Sequence, residues 1–171
     1  MLPGVGNAWG QALKKMNHIL PVTPMIHDTT LGRVTPSTLT GVSVDYSMND
    51  HDRSQLSLGI REAAKILFAA GANQVLVPTH QGLWIHSPED PALSSFQYQP
   101  GSIDTVSVHP MGTLKMGINP DHSVVDPNGK VHGYGNLYVA DASLFRTSIG
   151  VPPQITTYAF GSRVGVKIAE S

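Results

Sequence analysis

Residues 42–78 open with Val42-Ser-Val-Asp-Tyr-Ser-Met48, pass through Asn49-Asp-His-Asp52 into a long stretch that ends in Ala69-Ala-Gly-Ala72, and close on Gln74-Val-Leu-Val-Pro78. The first seven residues alternate. Val42, Val44, Tyr46 and Met48 fall on one side and Ser43, Asp45 and Ser47 on the other, which predicts a half-buried strand with its apolar side inward. Asn49 or Asp50 can cap a helix running to about Ala70, with Leu56, Ile60, Ala63 and Leu67 on one stripe and Gly71 at the C′ position. Gln74–Pro78 is then a short buried strand. A strand, a helix and a strand joined this closely lay a helix on a sheet, so the fold class is α+β, with an antiparallel or mixed sheet and helices on one side.

Working outward, residues 1–36 carry Pro3, Pro21, Pro24 and Pro36, which break any long helix and leave an amphipathic turn or two around Ala12–Leu20. Residues 79–104 hold three prolines, two glycines and several aromatics without a sustained period, which reads as a long surface loop, functional or merely tolerated. Ser123–Val131 is a hairpin signal with Pro127-Asn128-Gly129 at its turn. Asn136–Val139 forms a short strand leading into Ala140-Asp141-Ala142-Ser143. A last helix begins near Pro153 and runs to about Glu170, with Ile155, Ala159, Ser162 and Val166 at helical spacing.

The chain has 171 residues, enough for one domain with a buried core, and its charged residues are only 13% against roughly 25% in an average globular chain. Gly (17) and Pro (13) are plentiful, so turns should be too. A net charge of −1 supplies no basic field for nucleic acid or an anionic membrane. No run approaches the ~20 apolar residues of a membrane span. Without cysteine there is no disulfide framework, thiolate metal site or Cys nucleophile, and the compartment stays open.

Histidine carries the remaining chemistry, with eight in the chain. His80 and His86 are six apart in a loop, and His122 and His132 flank the hairpin, but neither pair has the spacing or the supporting ligands of a metal site, so no metal is expected. Asp121–Gly129 departs from the calcium-loop pattern, and no serine sits in a Gly-x-Ser-x-Gly elbow. His109, in Ser107-Val-His-Pro-Met-Gly-Thr113, reads by itself either as a hydrogen-bonded structural histidine or as a catalytic one. Asp141 likewise reads as an N-cap or Asx-turn at the end of a strand, or as an acceptor for a ligand hydroxyl.

The order of these pieces resembles the C-terminal part of the glucose-methanol-choline (GMC) flavin oxidoreductases. His109 followed by Gly112-Thr113, Met116-Gly117, Val124-Val-Asp126, Gly133, Asn136-Leu-Tyr-Val-Ala-Asp-Ala-Ser143 and Gly150 before a last helix follow that family's pattern in order. The resemblance implies FAD as cofactor, a small-molecule alcohol as substrate, and hydride transfer from the substrate CH–OH to the flavin with His109 as the base. It puts Asp141 and Ala142 against the ribityl and diphosphate part of FAD. Pro153 and Gln154 would open the last helix toward the flavin's pyrimidine edge, where its free N–H groups and positive dipole end stabilise reduced flavin.

One position departs from the family. The second active-site residue, an Asn or His in the family, falls at Pro152, which offers no side-chain donor and no N–H, so Thr147, Ser148 or Gln154 would have to substitute. The dinucleotide fingerprint is also missing. Its nearest approximation, Gly4-Val-Gly-Asn-Ala-Trp-Gly10, has the third glycine one place late and no strand before it. The expected organisation is therefore a substrate-binding portion, residues 1–105 with the long loop 79–104, then a segment, residues 106–171, whose strand and helix belong to an FAD-binding domain, with the N-terminal FAD-binding core absent. Two readings follow: the C-terminal part of an FAD-dependent alcohol oxidoreductase, or a non-catalytic fragment or decayed copy unable to bind FAD alone.

Overall fold

The computed structural model describes residues 10 and 13–170, and within them the chain is α+β, with two small antiparallel sheets and helices. The Gly4–Gly10 motif lies almost wholly outside the described residues, and of the expected turn or two around Ala12–Leu20 the described residues show helical backbone at Leu13 and Lys14 and a 3-10 turn, Met16–His18. Strands β1 (Arg33–Ser37) and β2 (Gly41–Asp45) pair with each other, as do β3 (Val75–Val77) and β4 (Leu83–Ile85). The helices are α1 (Asp50–Ala69), α2 (Pro91–Ser94) and α3 (Gln154–Ala169). They divide between two compact units, residues 1–26 with 48–106 and residues 27–47 with 107–171.

In the first unit α1 follows its sequence signals at both ends. Asn49 caps it by accepting the Asp52 N–H at 2.8 Å. At the other end Gly71 takes φ +95°, its N–H reaches Phe68 O at 2.9 Å and the Ala72 N–H reaches Leu67 O at 3.0 Å, the paired bonds of a Schellman stop. The stripe Leu56, Ile60 and Leu67 packs against a core of Ala64, Val75, Val77, Ile85, Leu93, Phe96 and Tyr98. Burying these side chains removes apolar surface from water, which is the main force holding helix to sheet.

Four of the core residues, Ile85, Leu93, Phe96 and Tyr98, come from the stretch 79–104, which is a structured part of this unit rather than a surface loop. It contains β4 and α2, and Asp90 caps α2 by accepting the Ala92 N–H at 2.9 Å. Each element is too short to show a period, so aperiodic sequence here hides order. Ser57, 1% exposed, ties α1 to this stretch: its hydroxyl donates to Arg53 O at 2.8 Å and accepts the buried Tyr98 N–H at 2.8 Å. Ser57→Ala should leave that N–H without a partner and destabilise the chain by about 1–3 kcal/mol. A urea midpoint equal to that of the unmutated chain would show that the bond contributes nothing.

In the second unit the β1–β2 hairpin corrects two expectations. The alternation in Val42–Asp45 is real, but Val42 and Val44 are 53% and 66% exposed, so the apolar side is not inward within this chain. Nor does β2 share a sheet with β3. Its partner is the strand just before it, across Thr38-Leu-Thr40, because closing so short a loop costs little entropy. β1 itself lies in the proline-rich first third and includes Pro36, which an edge strand of a two-stranded ribbon tolerates.

The rest of this unit is held by loop-to-loop bonds around Val125, Leu144, Phe145 and Val164, all buried. The hairpin expected at Ser123–Val131 is present as a Val125 to Val131 antiparallel bridge. Asp126 Oδ1 accepts the N–H groups of Asn128 (2.8 Å) and Lys130 (3.0 Å) and so holds its turn. Gly129 has φ +82°, and a Cβ there would stand 2.5 Å from Val164 Cγ2 and 2.6 Å from Val139 O. Asn136–Val139 makes one bridge, Lys130 to Tyr138, rather than a strand. α3 starts and stops where the sequence indicates but turns a different side inward. Ile155, Ala159, Ser162 and Val166 are exposed, while Val164 is buried and the Phe160 ring meets Phe145 edge to face at 5.1 Å. The Phe145–Phe160 pair and the burial of Val164, in place of the aliphatic stripe, mark the inward side.

Candidate active site

The segment carrying His109 runs beside the Asp141 stretch through three backbone bonds. Gly112 N–H reaches Ala142 O (3.4 Å), Leu114 N–H reaches Ser143 O (3.0 Å) and Met116 N–H reaches Leu144 O (3.1 Å). The same segment is tied to the hairpin by Gly117 N–H to Val125 O at 2.9 Å and Val124 N–H to Lys115 O at 2.9 Å. His132 braces it: its Nε2 lies 3.0 Å from Ser123 Oγ and 3.2 Å from Gly117 O. His132 is thus a structural histidine, with its ring held by local partners.

His109 is the opposite case. Its ring is half-buried and has no hydrogen-bond partner among the described residues. It lines a cleft of about 290 Å³ together with Pro152, Pro153, Gln154, Thr157 and Tyr158, all on or just before α3. Pro153 is the N-cap residue of α3 and provides no side-chain cap, and the first backbone N–H to bond back is that of Thr157, to Pro153 O at 2.9 Å. The amides of Gln154, Ile155 and Thr156 therefore precede the first intrahelical bond and form the positive end of the helix dipole beside this cleft.

Of the residues singled out in the sequence, the structure gathers His109, Pro152, Pro153 and Gln154 at this cleft. Thr147 and Ser148 do not line it. Asp141 and Ala142 do not either, although the Ala142 carbonyl bond holds them beside the His109 segment. Asp141 caps the 3-10 turn Ala142–Leu144 through Oδ1, which accepts the Ser143 N–H at 2.8 Å and the Ser143 hydroxyl. The N-cap reading of Asp141 is thus present in the structure. Because the side chain is exposed and both bonds end on Oδ1, Oδ2 remains available as an acceptor.

Two lining residues were missed by the sequence reading. Thr157 spends its hydroxyl on Pro153 O at 3.0 Å, while Tyr158 receives a bond from Gln154 Nε2 at 2.6 Å. The only signal for Tyr158 was its i,i+4 spacing from Gln154 at the helix start. Among the described residues no three His, Asp or Glu side chains gather as a metal site, and no helix is long and apolar enough to cross a membrane.

Comparison with known proteins places the chain in a family. A family model described as GMC oxidoreductase matches residues 29–161. One long-chain-alcohol oxidase of Arabidopsis thaliana is 32% identical over 136 residues, covering 74% of this chain and 19% of its own length. A second from the same plant is 30% identical over 144 residues, covering 75% and 19%. The chain thus spans about a fifth of the length of these curated relatives. A crystal structure of pyridoxine 4-oxidase from Mesorbium loti shares the fold, with a TM-score of 0.53 at 21% identity, over 85% of this chain and 28% of that one. With the family model spanning the His109 segment, the hairpin, the Asp141 stretch and the start of α3, this chain belongs to the GMC oxidoreductase family, of which it represents the C-terminal part.

Proposed function

We propose that this chain is the C-terminal part of an FAD-dependent alcohol oxidoreductase in which His109 removes the hydroxyl proton of the substrate. The observation that carries this reading is the His109 ring, half-buried in a cleft beside an uncapped helix start and without a partner of its own. A histidine kept for structure bonds its neighbours, as His132 does. A neutral imidazole left free in a cleft can instead accept a proton from a bound hydroxyl within hydrogen-bond reach.

The residues present fit a flavin. The free amides at the start of α3 would face its pyrimidine edge and stabilise negative charge there. Asp141 Oδ2 would accept from a ribityl hydroxyl or a bound water, and the Ala142 backbone would line the same side. When bound, FAD supplies the acceptor for the hydride leaving the carbinol carbon. The chain's own part is to hold the hydroxyl against His109 and to take its proton. In this proposal residues 106–171 contact flavin and residues 1–105 contribute to substrate binding. The plant relatives are named long-chain-alcohol oxidases, so long-chain primary alcohols are the first substrates to try.

A second reading rests on length. Because the chain spans about a fifth of those relatives, the part that holds most of FAD would lie outside it, and the chain alone would be non-catalytic. Gel filtration of the purified chain after mixing with micromolar FAD separates the two. Co-elution of yellow flavin with the protein rules out the fragment reading, and colourless protein rules out independent catalysis by this chain.

A further inference from the structure

Position 152 is proline, so the hydrogen bond that the family pattern assigns to an Asn or His there has no donor at that place. The same cleft wall holds another. Gln154 and Tyr158 stand one turn apart on α3, and the Gln154 Nε2–H group donates to Tyr158 Oη at 2.6 Å. An amide NH₂ only donates, so the tyrosine oxygen is the acceptor of this pair and its own O–H proton stays available. No other bond engages that hydroxyl among the described residues, and Tyr158 is 65% exposed. An oxygen that already accepts a bond is polarised into a stronger donor. The other hydroxyl of the lining cannot serve, since that of Thr157 is taken by Pro153 O.

We propose that Tyr158, oriented by Gln154, donates the hydrogen bond to the substrate alcohol oxygen that position 152 cannot. This rests on the reading of the cleft as an alcohol site. Tyr158 is then a catalytic residue that touches the substrate oxygen, and Gln154 is a positioning residue that fixes the phenol. As the hydroxyl proton passes to His109, negative charge grows on the substrate oxygen, and a neutral O–H donor aimed at it bonds more strongly than it did to the alcohol. An interaction that strengthens in this way lowers the barrier more than it tightens binding, so its loss should appear mainly in kcat.

The test uses the complete flavin-loaded protein that carries this chain, with dodecanol as substrate and trifluoroethanol as an alcohol that resists hydride loss. Tyr158→Phe keeps the exposed ring and removes only the hydroxyl. Turnover should fall about 10²- to 10³-fold, as for loss of one oxyanion donor, while KM changes by less than about threefold. Trifluoroethanol binding followed by fluorine NMR should weaken about 3- to 10-fold, the value of one neutral hydrogen bond. Gln154→Leu should lower kcat in the same direction by a smaller factor, again with KM little changed. Wild-type turnover and unchanged trifluoroethanol binding in Tyr158→Phe overturn the assignment. If His109→Ala is impaired while Tyr158→Phe is not, only the Tyr158 assignment falls. If both variants turn over dodecanol like the unmutated protein, the alcohol-site reading falls with it.

Discussion

Replacing His109 with alanine should lower turnover by about two to four orders of magnitude in the complete protein while leaving flavin bound, the loss expected when a general base is removed. The structure sharpens this beyond the usual result for a histidine variant. The ring makes no hydrogen bond among the described residues, so truncating it orphans no buried partner there. Only the packing of a half-buried ring is lost, so stability should move by no more than about 1 kcal/mol. His132 is the internal control, because its ring is bonded to Ser123 and Gly117 and its loss should act on stability. Turnover of dodecanol by His109→Ala at the unmutated rate would remove His109 from the mechanism. A lowered melting point with unchanged turnover per folded molecule would make it a structural residue instead.

The second large effect is expected at Gly129. With φ +82° it occupies the left-handed region, where a side chain costs about 1–3 kcal/mol. Its Cα side also faces Val164 of α3 and the Val139 carbonyl, at distances no real Cβ could keep. Val164 is 2% exposed and has no solvent-facing space to swing into. Arg163 pins the same contact, with Nε donating to Pro127 O and Nη2 to Asn128 Oδ1, both at 3.1 Å. Gly129→Ala should thus destabilise by about 2–5 kcal/mol, adding backbone strain to overpacking. In a chain of this size that corresponds to a melting midpoint lowered by roughly 5–15 °C. A midpoint within a degree or two of the original would show that the turn and the helix part easily, and that Gly129 serves only the turn.

Much of the candidate site could be read before the structure, because its residues sit in a specific order along the chain. The Gly112-Thr113, Met116-Gly117 and Asn136–Ser143 blocks mark where the backbone passes close to itself. Gly117 illustrates the reason: a Cβ there would stand 3.0 Å from Ser123 Cβ and 3.2 Å from Arg146 Nη1. Tyr158 escaped notice since nothing in its neighbourhood on the chain distinguishes a tyrosine lining a cleft from one facing solvent. Its proximity to His109, 49 positions earlier in the sequence, is made by folding alone.

The sequence by itself determined what depends on neighbours a few residues away. Asn49 and Gly71 delimit α1, Pro127-Asn128-Gly129 places a turn, Pro153 precedes the last helix, and the α+β class follows from the alternation between periods. These are caps, turns and periodicities, whose free energies are local. Only the tertiary structure decided which partner each element takes. It paired β2 with β1, drew Leu93, Phe96 and Tyr98 into a core, turned the Phe160 and Val164 side of α3 inward, and brought Gln154 and Tyr158 to the cleft of His109. The physical reason is common to all four. Periodicity shows that an apolar or polar side exists, but which surface covers it is settled by shape and volume at contacts between residues far apart in the chain.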